Sequence, residues 1–320
     1  MKARQPILVT GVPRSGTTWL ARLLTSSPGT ALAGREPMNP RGRQYGLGGS
    51  LPGWTRLVHP DTAQLRRLRS AYAGVNPWLF SRYGRRQWAA VLPWTQVIVK
   101  DPFAMLSMPA VCRATGARPI LLYRHPAAVL TSYRRMGWLP DVQELGPVVD
   151  EYNRTATGVT QVPEAPDGAE GSDVEAMGWF WSALYTMALR DVAQIPDAVV
   201  VSHEELASGG APARQRLLTE LGLASGDDGH DEHADGDADA DADGDDGQDE
   251  PGAQALVAEA VGEGGHHQGG GLHDFDRAPA QVATAWRAKL TQDEIATIED
   301  RTAEVRDRLS SVRVTLSVGA

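Results

Sequence analysis

The stretch Ile7-Leu8-Val9-Thr10-Gly11-Val12-Pro13-Arg14-Ser15-Gly16-Thr17-Thr18-Trp19-Leu20 decides the fold. Residues 6–10 read as a short buried strand and Gly11 to Gly16 as a turn-rich loop. Thr17 to Ser26 read as a helix with Trp19, Leu20, Leu23 and Leu24 on one side. Strand, glycine loop and helix in direct succession point to a nucleotide-binding α/β fold. Loop amides converge at the helix N-terminus, where the helix dipole adds partial positive charge, so a phosphate fits there. Gly11, Gly16 and Thr18 have the spacing of the phosphate loop G-x-x-x-x-G-K-[ST], but Thr17 stands where that loop carries lysine. A kinase or ATPase uses this lysine on the β- and γ-phosphates. Here the basic side chain is Arg14, inside the loop. The pattern therefore predicts a bound phosphate, but not a magnesium triphosphate held in the usual way.

Outward from this stretch, strands and helices alternate. Residues 34–60 are rich in Gly, Pro and Arg and read as loop; 61–74 and 84–92 read as helices. Gln96 to Lys100 is a second strand, Ala104 to Thr115 a helix, Arg118 to Tyr123 a third strand. Pro126 to Met136 is a helix with proline in its first turn. A long amphipathic helix covers 172–193, a fourth strand 198–202, a helix 212–221 and a last helix about 291–310, opened by Thr291 and Glu294. Such alternation implies a parallel sheet covered on both faces.

The formal charge of the 320-residue chain is −9, but residues 227–250 hold 13 Asp and Glu and no Lys or Arg; without them the charge is +4. An acidic tract thus hides a mildly basic body suited to an anionic ligand. Composition divides the chain into a core at 1–225, an acidic Gly- and Asp-rich disordered insertion at 226–271, and a C-terminal helical part of the core at 272–320. Asp239, Asp241, Asp243, Gly244 and Glu250 fit the spacing of a calcium loop, but no amphipathic helix precedes them, so the repetitive tract is read as a chance match. Cys112, the single cysteine, reads as a small buried hydrophobe and excludes an internal disulfide. No apolar run is long enough for a membrane span or a signal peptide, so the expected location is cytoplasmic. No nucleic-acid partner is indicated, and the oligomeric state is not legible.

Residues 13–20, Pro-Arg-Ser-Gly-Thr-Thr-Trp-Leu, resemble the 5′-phosphosulfate loop of the sulfotransferases that use 3′-phosphoadenosine-5′-phosphosulfate (PAPS). A second element resembles that family: Arg124 follows the third strand and Ser132 stands eight residues later, the pair that holds the 3′-phosphate. Arginine offers a planar fork of donors to a phosphate, and a serine hydroxyl adds another. Weaker likenesses follow at Val199 to Leu206, where His203 replaces a tyrosine, and at Trp286-Arg287 with Leu290 to Glu294. The resemblance implies a P-loop-type three-layer α/β fold with a central parallel sheet. It also implies PAPS as co-substrate, no required metal, and a carbohydrate or other small-molecule alcohol as acceptor. Arginine at position 14, where cytosolic members commonly have lysine, is similar to the protein-tyrosine and carbohydrate branches.

By this resemblance Arg14 stabilises the leaving group. Ser15, Gly16, Thr17 and Thr18 bind the 5′-phosphate, Trp19 stacks on adenine, and Lys100, at a strand end, reaches the transferring group. Cytosolic members carry a catalytic histidine two residues after that lysine; here the place is Pro102. Glu36, 22 residues after Arg14, is the expected base, with Asp101 and His59 as alternatives; His125 is expected to serve structure. The loop 35–60 and the stretches around Trp78, Trp88 and Trp94 are candidates for shaping the acceptor pocket. Two other readings stay open: a P-loop kinase-like phosphotransferase, and a nucleotide-binding protein without turnover.

Overall fold

In a computed structural model of the chain, residues 4–42, 46–165, 172–224 and 284–316 are described. The chain divides into two units, Met1–Gly226 with Pro279–Ala320, and Asp227–Ala278. The acidic insertion, the calcium-like pattern and the second unit lie outside the described residues.

The first unit is a five-stranded, fully parallel sheet in the order β2-β3-β1-β4-β5. Its strands are β1 (Ile7–Thr10), β2 (Thr30–Ala33), β3 (Gln96–Lys100), β4 (Arg118–Tyr123) and β5 (Val199–Ser202). Successive side chains point to opposite faces, and both faces are apolar. Ile7, Val9, Ile98, Ile120 and Leu122 pack with Leu20, Ala21 and Leu24 of α1 (Thr17–Thr25) on one side. Leu8, Val97, Val99 and Leu121 pack on the other with α2 (Thr62–Tyr72), α3 (Met108–Thr115), α4 (Pro126–Met136) and neighbouring helices. This is the expected three-layer arrangement. The remaining helices are α5 (Val142–Asn153), α6 (Asp173–Val192), α7 (His203–Ser208), α8 (Gly210–Glu220) and α9 (Gln292–Val312).

The chain runs from β1 outward to β2, returns to β3, then crosses to β4 on the other side of β1. The strand order therefore reverses around β1, and the crevice beyond its carboxyl end is where such sheets bind ligands. Helix α6 is buried on almost every side, with Phe180, Trp181 and Tyr185 fully enclosed. It is the central post of its layer.

Several elements differ from expectation. Residues 104–115 form two helices: Ser107 leaves helical geometry (φ −132°) between a 3₁₀ turn at Pro102–Leu106 and α3. Pro109 explains the break, since it offers no amide to the turn behind and fits the first turn of α3. The expected helix at 84–92 is only a 3₁₀ turn at Gln87–Ala89, because Arg86 adopts a left-handed conformation (φ +50°). Strand β2 and helix α5 were not foreseen. The first is four residues without a polar–apolar alternation, and the second carries Gly146 and Pro147 in its interior.

Candidate active site

The phosphate loop forms as it does because its glycines permit it. Gly11 has φ +152°, and a Cβ there would stand 2.1 Å from the Leu122 carbonyl oxygen; Gly16 has φ +94° and would meet the His203 ring at 2.5 Å. The loop lies on α6. The Tyr185 hydroxyl donates to the Leu122 carbonyl (2.8 Å), accepts from the Val12 amide (3.3 Å) and lies 3.3 Å from the Ser15 hydroxyl. Burial raises the Tyr185 pKa, so the group stays a neutral phenol. Ser15 thus differs from expectation. It is fully buried, its hydroxyl faces Tyr185, and its amide donates to the Val12 carbonyl (3.0 Å), so it braces the loop from inside.

Helix α1 begins at Gly16 with no side-chain cap and no acidic residue in its first turn. By contrast, α2 and α9 have complete capping boxes, from Asp61 with Gln64 and from Thr291 with Glu294. Among the described residues the first amides of α1 therefore meet no side-chain acceptor, which suits an external anion. Thr17 is buried at this end, while Thr18 and Trp19 are half-buried. The Trp19 ring meets His203 edge-on at 5.6 Å.

Arg14, Arg124 and Ser132, remote in sequence, come together. Arg14 Nε donates to Ser132 Oγ (3.0 Å), and Arg124 Nη1 donates to the Arg14 carbonyl (3.3 Å). The Arg14 guanidinium also lies 5.9 Å from the centre of the Trp138 ring. Among the described residues Arg14 forms no ion pair with a carboxylate. Burial, then the charges of Arg135 and Arg124, lower its pKa. Burial likewise lowers that of Arg124, with Glu204 opposing and Arg135 adding to the effect. Arginines gathered this way repel one another, and a bound anion relieves that repulsion.

His125 serves structure, as expected. Its Nδ1 accepts from the Ala127 amide (3.3 Å) at the start of α4, and its ring stacks on Trp286 at 4.4 Å. Burial, then Arg306 and Arg287, lower its pKa to about 4.

The other half of the crevice lies at the end of β3. Lys100 Nζ forms an ion pair with Glu36 Oε1, and Asn39 Nδ2 donates to Glu36 Oε2 (2.9 Å). Two of the expected catalytic residues are therefore in direct contact. Asp101 fastens this arrangement. Its carboxylate accepts from the Met38 amide (2.6 Å) and the Phe103 amide (3.1 Å), pinning the Glu36 loop to the strand end. Thr10 donates to the Asp101 carbonyl (2.8 Å), which ties the ends of β1 and β3. Asp101 is fully buried, and burial followed by the charge of Glu36 raises its pKa to about 8. With both oxygens engaged by backbone and no exposure, it is not placed to take a proton from an acceptor. His59 stands exposed on a loop, and Trp78, Trp88 and Trp94 are exposed rather than gathered at Arg14.

The sequence reading missed the roles of Tyr185 and Trp181. Trp181 Nε1 donates to the Arg124 carbonyl (3.1 Å), so the loop of Arg14 and the strand end of Arg124 rest on one helix face four residues apart. Aromatic residues at that spacing were the available signal, and they read as ordinary core. Among the described residues no group of three or more His, Cys, Asp or Glu is arranged to hold a metal.

The model of a sulfotransferase family matches residues 6–164, a span that contains the phosphate loop, Glu36, Lys100, Arg124 and Ser132. Among solved structures, the chain is similar to the sulfotransferase domain from the curacin biosynthetic pathway (14% identity, 95% of this chain and 99% of that one, TM-score 0.44). It is also similar to the sulfotransferase domain of the Synechococcus PCC 7002 olefin synthase (18% identity, 94% and 95%, TM-score 0.42). A third likeness is to the mouse sulfotransferase SULT7A1 complexed with PAP (13% identity, 71% and 62%, TM-score 0.34). No curated protein matches the sequence. Over residues 6–164 the chain is thus a match to the sulfotransferase family.

Proposed function

We propose that the crevice binds PAPS and that the protein transfers its sulfuryl group to a hydroxyl of a small-molecule acceptor, a carbohydrate or another alcohol. The observation that carries this reading is the junction of Arg14, Ser132 and Arg124 above an uncapped helix N-terminus. It offers donors for two phosphates, with no lysine at position 17 for a triphosphate.

In this reading the amides of Gly16, Thr17 and Thr18 and the side chains of the two threonines hold the 5′-phosphate, Trp19 packs against the adenine, and Arg124 with Ser132 holds the 3′-phosphate. The acceptor oxygen attacks sulfur, and a new S–O bond forms. The bond from sulfur to the bridging oxygen breaks with its electron pair passing to the 5′-phosphate. Arg14 stabilises the charge growing on that oxygen, and Glu36 takes the acceptor proton. Lys100, beside Glu36, turns to the sulfonate oxygens as the proton arrives on the carboxylate and the ion pair weakens.

The test is transfer of sulfur-labelled PAPS to a panel of sugars and apolar alcohols, with Arg14→Ala alongside. Label should pass to an acceptor with the wild-type protein and fall to background with the variant. Transfer of the γ-phosphate of ATP in place of the sulfuryl group would contradict the proposal.

A further inference from the structure

Eleven large hydrophobic residues are well exposed among the described residues, and six of them stand within residues 75–94: Val75, Trp78, Tyr83, Trp88, Val91 and Trp94. The tryptophans are 68%, 77% and 52% exposed. A concentration of this kind marks an interaction site, whereas scattered exposed residues do not. The segment covers the outer edge of the sheet: the Arg85 and Leu32 backbones pair across β2, and Arg86 Nη1 donates to the Ser27 carbonyl (3.1 Å).

Its charge has one sign. Arg82, Arg85 and Arg86 are exposed, and no Asp or Glu occurs between Asp61 and Asp101. Among the described residues Arg85 and Arg86 make no ion pair, and Arg85 is near enough to Arg22 to lower the latter's pKa, second to burial. The occupant must therefore be both anionic and able to accept aromatic rings. Tryptophan and tyrosine settle at the headgroup level of a bilayer, and arginine is drawn to anionic headgroups.

We propose that the face formed by residues 75–94 docks the protein on an anionic lipid bilayer. No helix among the described residues is long and apolar enough to cross a membrane, so the contact is peripheral. The net negative charge of the chain does not prevent it, because at about 0.1 M salt charges interact over about 10 Å and the local arginines dominate. The same segment accepts the Gly34 and Arg35 amides at the Leu79 carbonyl (3.1 and 3.0 Å), at the start of the loop that carries Glu36. A bilayer on this face thus lies beside that loop. The proposal does not depend on sulfuryl transfer.

Co-sedimentation of the full chain with vesicles tests it. Binding is expected to mixed phosphatidylserine–phosphatidylcholine vesicles, to fall with added salt, and to be at least about tenfold weaker to phosphatidylcholine alone. Combining Arg82→Gln with Arg85→Gln should weaken binding about fivefold per arginine at low salt. The triple variant Trp78→Ser, Trp88→Ser, Trp94→Ser should lose it, with thermal midpoints of both variants reporting that they fold; if the triple variant unfolds, the arginine pair decides. No vesicle binding, equal binding to neutral and anionic vesicles, or wild-type binding by the folded variants overturns the proposal. So does capture of an acidic protein by this face without vesicle binding.

Discussion

The two halves of the crevice at the end of β1 handle charge in opposite ways. On the phosphate half, Arg14 rests on a hydroxyl, a carbonyl-bound neighbour and an aromatic ring, and no carboxylate answers its charge among the described residues. On the other half, Lys100 is matched by Glu36, and Asp101 is buried beneath them with both oxygens engaged by amides. In the proposed reading the difference separates two tasks. A site that holds a fixed anion can leave its cations unmatched and let the ligand complete them. A site that exchanges a proton needs a carboxylate whose partner can leave it.

The largest effect is expected at Glu36. Glu36→Gln should lower kcat by about 10²–10⁴-fold while nucleotide affinity stays close to wild type. Near-normal turnover would remove Glu36 as the base. On the opposite side Arg14→Ala should lower kcat by about 10²–10³-fold, read in the same label-transfer assay, because the charge on the leaving oxygen then lacks its fixed donor. Arg124→Ala should weaken 3′,5′-phosphoadenosine by about 1.5–3 kcal/mol in calorimetric titration, the size of hydrogen bonds to a charged group. It should leave 5′-ADP nearly unaffected.

The smallest effect is in the pH dependence of stability, where the halves should differ in sign. His125 and His203, at the phosphate half, have pKa values lowered to about 4 and about 3, in each case first by burial. An unfolded histidine titrates near 6.5. Below that pH the unfolded chain binds more protons than the native one, so these groups lower stability as pH falls from about 6.5 to about 4. Asp101, raised to about 8 by burial and then Glu36, acts the other way. Between about pH 4 and pH 8 the folded state holds the extra proton, so its contribution declines as pH rises and is lost above 8. Thermal midpoints should therefore drop on acidification below about 6.5, and Asp101→Asn should flatten the decline between about pH 6.5 and 8. An unchanged alkaline slope in that variant would contradict the Asp101 assignment.

The strand, loop and helix at the start of the crevice were legible in the sequence, because their pattern sits in one short run. Gly11, Arg14, Gly16 and Thr18 have fixed spacing, and the strand before them and the helix after them show their own patterns. Arg124 and Ser132 were singled out only through their resemblance to a family element, and the structure brings both to Arg14. The braces beneath were not legible. Tyr185 reaches Val12 and Ser15 across some 170 residues, and nothing local distinguishes a tyrosine that supports a loop from one that fills a core. The contact of Glu36 with Lys100 is likewise non-local, and the part of Asp101 in it appears only once burial and the Met38 amide are seen. The three exposed tryptophans misled for a related reason: composition draws attention to them, but only the fold tells surface from pocket.

In the proposed reading the crevice is built for a nucleotide with a phosphate at both the 3′ and 5′ positions. Thermal unfolding in the presence of 3′,5′-phosphoadenosine, of ADP, and of ATP with magnesium tests that most directly. A ligand at a hundred times its dissociation constant stabilises the native state by about 2.7 kcal/mol. A clear rise in midpoint is expected with the 3′-phosphorylated nucleotide, little with ADP, and loss of the difference in Arg124→Ala. A rise with ATP and magnesium, and none with 3′,5′-phosphoadenosine, would contradict it.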